Sequence, residues 1–215
     1  MFKKLFGLSE KEAPSRTLDH PAKLRQGDAI RIGFDEHPEL SNAEFFIQKV
    51  TGLDLSSKTG YERRVLHLGQ VGGGFPLLMW VDTEKGGDRL AFAYGADQPH
   101  VEAMLNMDQF VTLFEPDRNY LVEVDADAVA NPWLASRYIQ DQASEVYWLD
   151  KDPSKTMAAG TVSNEEAPCD YFRLSSQDQE AAIEVFVFDG GKTDVYFTKF
   201  LPLYKLEEMM PGKQK

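Results

Sequence analysis

Ala182-Ile183-Glu184-Val185-Phe186-Val187-Phe188 runs into Asp189-Gly190-Gly191-Lys192 and out through Thr193-Asp194-Val195-Tyr196-Phe197-Thr198-Lys199-Phe200. Two apolar, β-branched and aromatic runs joined by a short glycine turn form a β-hairpin, because Gly190 and Gly191 can adopt the positive φ of a tight primed turn. Ile183, Val185 and Val187 fall on one face of the first strand. Glu184, Phe186 and Phe188 fall on the other. Val195 and Phe197 share a face of the returning strand, with Tyr196 opposite. Large apolar groups on both faces place this hairpin inside the protein, with its aromatics in the core.

The same grammar recurs upstream. Ile30, Ile32 and Phe34 alternate with Arg31 and Gly33. Tyr61 to Leu68 and Leu90 to Tyr94 also alternate, and Phe75 to Val81 is almost wholly apolar. Gly72-Gly73-Gly74 and Lys85-Gly86-Gly87-Asp88 punctuate these runs, as in an antiparallel meander. Glu44 to Val50 reads as a strand or a helical turn, and Tyr120 to Val124 and Val146 to Leu149 as strands. Val101 to Met107 suits a short helix, and Val111 to Phe114 a strand. Ala126 to Ala143 has helix-forming composition, with Pro132 at its first turn or breaking it. Leu203 to Met210 reads as a helical turn. The expected fold is α+β, mainly antiparallel β with a few short helices. Residues 1–27, with Pro14 and Pro21 and no apolar period, read as a flexible N-terminal tail. Residues 28–210 form a β-rich globular region, one domain or two joined near 150–168.

Composition narrows the function classes. The chain has 215 residues, 42% of them hydrophobic, and a net charge of −12. That supports a packed core and argues against wholesale disorder. Residues 97–190 hold nineteen acids and five bases, a net of −14, while residues 1–25 hold six bases and three acids, a net of +3. Nucleic-acid binders neutralise phosphates with basic patches, so this balance predicts no nucleic acid as partner. The acidic region serves solubility or faces a basic partner. The single cysteine, Cys169, forms no intrachain disulfide, which fits a reducing, cytoplasmic setting. No apolar run is long enough to span a bilayer as a helix, and the start lacks the apolar stretch of a signal peptide.

Motifs for chemistry fail one by one. Gly69 to Gly74 precedes a strand, with no Gly-Lys-Ser/Thr, so it is a turn and not a phosphate loop. Asp150-Lys151-Asp152-Pro153-Ser154 opens like a calcium loop but has Lys155 and Thr161 where Gly and Glu are needed. His20, His37, His67 and His100 make no ligand-spaced pair. Cys169 lacks a basic sequence neighbour to activate it. No catalytic residue, metal site or cofactor is therefore expected. Phe2, Leu5 and Phe6 flank Lys3 and Lys4, a combination that suits weak contact with an anionic membrane surface or an acidic groove.

Four features together resemble the YjfK-like family of uncharacterised bacterial proteins. They are Met1-Phe2-Lys3-Lys4-Leu5-Phe6-Gly7, Leu24-Arg25-Gln26-Gly27-Asp28-Ala29-Ile30, the strand Leu66-His67-Leu68-Gly69, and the Asp189-Gly190-Gly191 hairpin. The resemblance implies no catalytic residue, and by analogy a protein partner in membrane or envelope stress. The expected function is a non-enzymatic cytosolic protein-interaction module. The alternative is a small-molecule-binding protein or enzyme with a pocket between β-sheets.

Overall fold

The computed structural model describes residues 16–55, 62–70, 73–74, 76–83, 87–114, 121–124, 128–156 and 166–212. Among the described residues eleven strands follow in chain order: β1 (Ala29–Ile32), β2 (Glu44–Asp54), β3 (Glu62–Gln70), β4 (Leu77–Asp82), β5 (Arg89–Ala96), β6 (Leu121–Glu123), β7 (Arg137–Leu149), β8 (Glu166–Ser176), β9 (Ala181–Phe188), β10 (Thr193–Pro202) and β11 (Leu206–Met210). Three short helices accompany them: α1 (Gln98–Met104), α2 (Met107–Phe110) and α3 (Pro153–Thr156). Asp97 caps α1 by accepting from the His100 amide, and Asn106 caps α2 by accepting from the Gln109 amide. The expected antiparallel, β-rich fold is present.

The strands form one sheet in the order β11-β1-β2-β3-β4-β5-β10-β9-β8-β7-β6. β2 also pairs with β7, through Gly52 to Asp54 and Tyr147 to Leu149. The path β2-β3-β4-β5-β10-β9-β8-β7 therefore returns to its start, a ring of eight antiparallel strands. Closure satisfies the backbone groups that an open sheet would expose. β1 with β11, and β6, extend beyond the ring.

Both faces of the central hairpin are largely buried, as expected, whereas β7 exposes alternate residues along one face. Gly190 and Gly191 hold φ of 84° and 83° at its turn. Ile183, Val185, Val195 and Phe197 join a large core with Ile30, Phe45, Phe92, Val101 and Trp133. The opposite face carries Phe186, Tyr171, Val146 and Leu53 in one cluster and Trp80, Ala91, Ala93 and Ala182 in another. Between them, Arg63 on β3 bonds Glu184 on β9 at 2.8 Å. Those strands are four places apart in either direction round the ring, so this contact spans its interior.

Several expectations are corrected. Packed chain begins before residue 28: Pro21 and Leu24 are buried and Leu18 lies against the main core. Leu18, Pro21 and Leu24, spaced by three around the 3-10 turn Pro21–Lys23, anchor this segment. Residues 137–143 belong to β7, not to a helix, because cross-strand pairing with β6 and β8 overrides their helix-forming composition. Trp133 sits in the preceding loop, and the 3-10 turn Ala128–Ala130 is the helical part of that stretch. Val111–Phe114 is a 3-10 turn and not a strand. Leu203–Lys205 makes one 3-10 turn before the chain extends as β11. β7 and β8, on either side of residues 150–165, pair with each other.

Candidate interaction surface

Inside the ring Arg63, Glu184 and Tyr171 serve one another, while the buried Trp80 indole nitrogen and Thr198 hydroxyl have no hydrogen-bond partner among the described residues. Glu184 accepts from Arg63 and, at 2.5 Å, from the Tyr171 hydroxyl. The Arg63 guanidinium lies 4.8 Å from the centre of the Trp80 ring, a cation–π contact in a desolvated setting. Burial holds the Tyr171 hydroxyl far above its usual range, so it stays protonated and donates. Burial also pushes the Cys169 thiol up to about 12, so it is no nucleophile near neutrality. Arg63, Glu184 and Tyr171 are sealed and paired, as a structural network requires.

The histidines do not converge. His20 meets Asp88 at 3.1 Å, His67 bonds the Thr51 hydroxyl at 2.8 Å, and His100 contacts Asp97 at the start of α1. His37 is buried edge-on to Trp133. Among the described residues no group of three or more His, Cys, Asp or Glu side chains could hold a metal ion.

The acidic stretch is also dispersed. Asp152 is bonded by Arg64, Asp141 by Arg173 and Ser175, and Glu184 by Arg63. Asp97 caps a helix. Among the described residues these four acids of 97–190 are therefore engaged in ion pairs or a helix cap.

The open part of the sheet lies elsewhere. β11 pairs with β1 in register Ala29↔Met210 to Arg31↔Glu208, and among the described residues no strand lies on its other side. Alternate residues of such a strand turn N–H and C=O groups outward, ready to pair. Glu207 and Glu208 stand on β11, 3.3 and 3.6 Å from the Arg31 guanidinium. Lys205 bonds Asp35 at 2.9 Å and the Phe34 carbonyl at 2.8 Å. That pairing brings the β1–β2 loop beside the turn into β11. Phe34 and Tyr204, on these two segments, are 74% and 78% exposed, the most exposed large apolar side chains among the described residues.

Asp28 fixes the far end of this edge. Its carboxylate accepts from the Arg25 amide at 2.7 Å, the Gly212 amide at 2.9 Å and the Arg16 guanidinium. Gly212 has no side chain because a Cβ there would lie 2.1 Å from the Gly27 carbonyl oxygen. The chain entering at Arg16 and the chain leaving β11 therefore meet at one carboxylate.

The other end of the sheet is covered. Leu105 bridges Val124, the Asn106 amide bonds the Glu123 carbonyl at 3.2 Å, and the Glu123 amide bonds Gln109. The junction of α1 and α2 thus caps β6. Leu121 and Ile139, cross-strand partners, stay exposed there as side chains.

Phe2, Lys3, Lys4, Leu5 and Phe6, the contact residues expected from sequence, lie outside the described residues. Sequence reasoning missed the β11 edge because Leu203 to Met210 reads as helical. The signal was Glu207-Glu208, since charge on an edge strand discourages unwanted pairing. No helix of the described residues is long and apolar enough to cross a membrane. No family model, curated protein or solved structure matches the chain.

Proposed function

We propose that the protein is a non-enzymatic, cytosolic interaction module that receives a basic, apolar segment along the edge of β11. One observation carries this reading: β11, an edge strand among the described residues that bears Glu207 and Glu208, follows the exposed Tyr204, and Lys205 ties the segment of the exposed Phe34 to it. Edge strands bind extended peptides by main-chain hydrogen bonds, with side chains supplying selectivity. Around this edge Asp35, Glu36, Glu207 and Glu208 oppose Arg31 and Lys205, four acids against two bases, a net of −2. A basic partner is the complementary one. The likeness to the YjfK-like family supports a partner beside a membrane, in envelope stress. The alternative, a ligand pocket between sheets, draws no support from Arg63, Glu184 and Tyr171, which bond one another.

The test compares capture of lysate proteins by the wild type and by Phe34→Ala/Tyr204→Ala. A specific partner should be captured by the first and lost, or weakened about tenfold or more, with the second. Equal capture by both would overturn the assignment of this edge.

A further inference from the structure

We propose that the interior of the eight-stranded ring is a binding site for a small uncharged molecule that accepts hydrogen bonds through oxygen, such as a tertiary amide or a ketone. The site is separate from the β11 edge and does not rest on the reading of that edge as a contact surface.

Strand register fixes which side chains face inward. Arg63 and Glu184 meet across the ring, and the Arg63 guanidinium lies against Trp80 and Tyr171. Residues directly opposite one another in antiparallel strands share a face. Tyr171 stands opposite Ser144 on β7. Arg173 stands between Glu184 and Gln142. Trp80 stands opposite Ala91, and Thr198 stands between Ala93 and Ala182. Trp80, Ala91, Ala93 and Ala182 pack in one cluster.

Four of these inward side chains carry a buried polar atom with no hydrogen-bond partner among the described residues: Trp80 Nε1, Thr198 Oγ1, Ser144 Oγ and Gln142 Nε2. Trp80 is 3% exposed and Thr198 0%. Their strands, β4, β10 and β7, are spaced two, three and three places apart round the ring. Donors thus enter one interior from three walls. The indole N–H and the amide NH2 can only donate, and both hydroxyls can donate. The complement of such a set is an acceptor oxygen. Buried donors in folded proteins are almost always paired, so several orphans on one inner surface point to a ligand that pairs them. The ligand is uncharged because the inward ionic groups already balance, Arg63 with Glu184 and Arg173 with Asp141. A further ion would be buried without a counter-charge. Ala91, Ala93 and Ala182 supply methyl groups beside two of the donors, an apolar wall for the body of the molecule. A ring of eight strands encloses room for side chains or for one small ligand.

The experiment uses the full chain and two probes of similar shape, N,N-dimethylacetamide and acetate. The Trp80 indole N–H is followed by proton–nitrogen NMR, its signal identified by its loss in Trp80→Phe. Dimethylacetamide should shift this signal saturably in the millimolar range and show magnetisation transfer from its methyl groups to the indole proton. Acetate should not. Thr198→Val and Ser144→Ala should each weaken the binding about threefold or more, the loss of one neutral hydrogen bond. Ser144→Ala, on a strand with one exposed face, decides the matter if Thr198→Val does not fold. Phe34→Ala/Tyr204→Ala should leave the binding unchanged, which separates this site from the β11 edge. No saturable shift, transfer from water protons alone, a preference for acetate, or wild-type affinity in the folded variants would each overturn the proposal.

Discussion

Arg63 Nη1 donates to Glu184 Oε1 at 2.8 Å across the interior of the strand ring, with each side chain 3% exposed. The two residues lie 121 positions apart. Trp80 and Tyr171 both lie against the guanidinium, and the Tyr171 hydroxyl donates a hydrogen bond to the same carboxylate oxygen. Strands far apart in sequence thus meet through a pair that ties opposite walls.

Removing one partner should be far worse than removing both. Glu184→Ala leaves a guanidinium buried without its counter-ion, and the expected cost is about 3–5 kcal/mol in urea denaturation. Arg63→Met/Glu184→Leu removes both charges and should recover most of that loss. A cost below about 1 kcal/mol for Glu184→Ala would place the pair in contact with water.

Phe186 carries the neighbouring apolar contacts. Its ring lies 5.5 Å from Trp148, 5.0 Å from Tyr171 and 5.8 Å from Tyr196. Phe186→Ala should cost about 3–5 kcal/mol by loss of transfer energy and by the cavity left behind. Capture of a partner at the β11 edge should survive under conditions where the variant is folded. A loss within the range of surface substitutions would sink its placement inside the ring.

The hairpin that opens the sequence reading was legible because its alternation and its glycine turn agree. Both of its faces are buried, and its register, Val195↔Val185 and Phe197↔Ile183, keeps like faces together. Ring closure was not legible. It rests on three residue pairs between β2 and β7, and nothing local in Gly52-Leu53-Asp54 announces a partner nearly a hundred residues away. β7 was misread for a related reason. Its Ala and Gln residues favour helix, and tertiary pairing on both sides decides otherwise. The contact surface was not legible, because the sequence reading put the acidic region at 97–190 and the β11 edge forms only where Lys205 reaches Asp35 and the Phe34 carbonyl.

Cys169 offers a probe of closure. Its sulfur lies 3.8 Å from the Val146 carbonyl oxygen, and burial raises its thiol to about 12, with Asp170 adding to the shift. Alkylation by iodoacetamide near pH 8 should be negligible in the folded protein and rapid in denaturant. Fast labelling of the native state would show that the β7–β8 region opens readily.

His37 should make stability depend on pH. It is 3% exposed and stands 4.5 Å from Trp133, edge to face. Neither ring nitrogen has a hydrogen-bond partner. Burial disfavours the imidazolium and holds the group below its usual 6.5. Glu39 and Asp35 pull the other way, and Lys199 on β10 reinforces the lowering. Glu39 is itself engaged, accepting from the Trp133 indole at 2.6 Å. The sign follows from proton uptake. Below about 6.5 the unfolded chain takes up a proton that the folded chain refuses, so the unfolded state gains. The contribution is complete above that pH and is lost as pH falls towards the lowered folded value. His67 shifts in the same direction, chiefly through burial. Melting temperatures of wild type, His37→Phe and His67→Phe between about pH 5.5 and 8 separate the two. Each variant should lose less stability on acidification than the wild type. A wild-type-like slope in His37→Phe would mean that His37 is accessible to protons in the folded state.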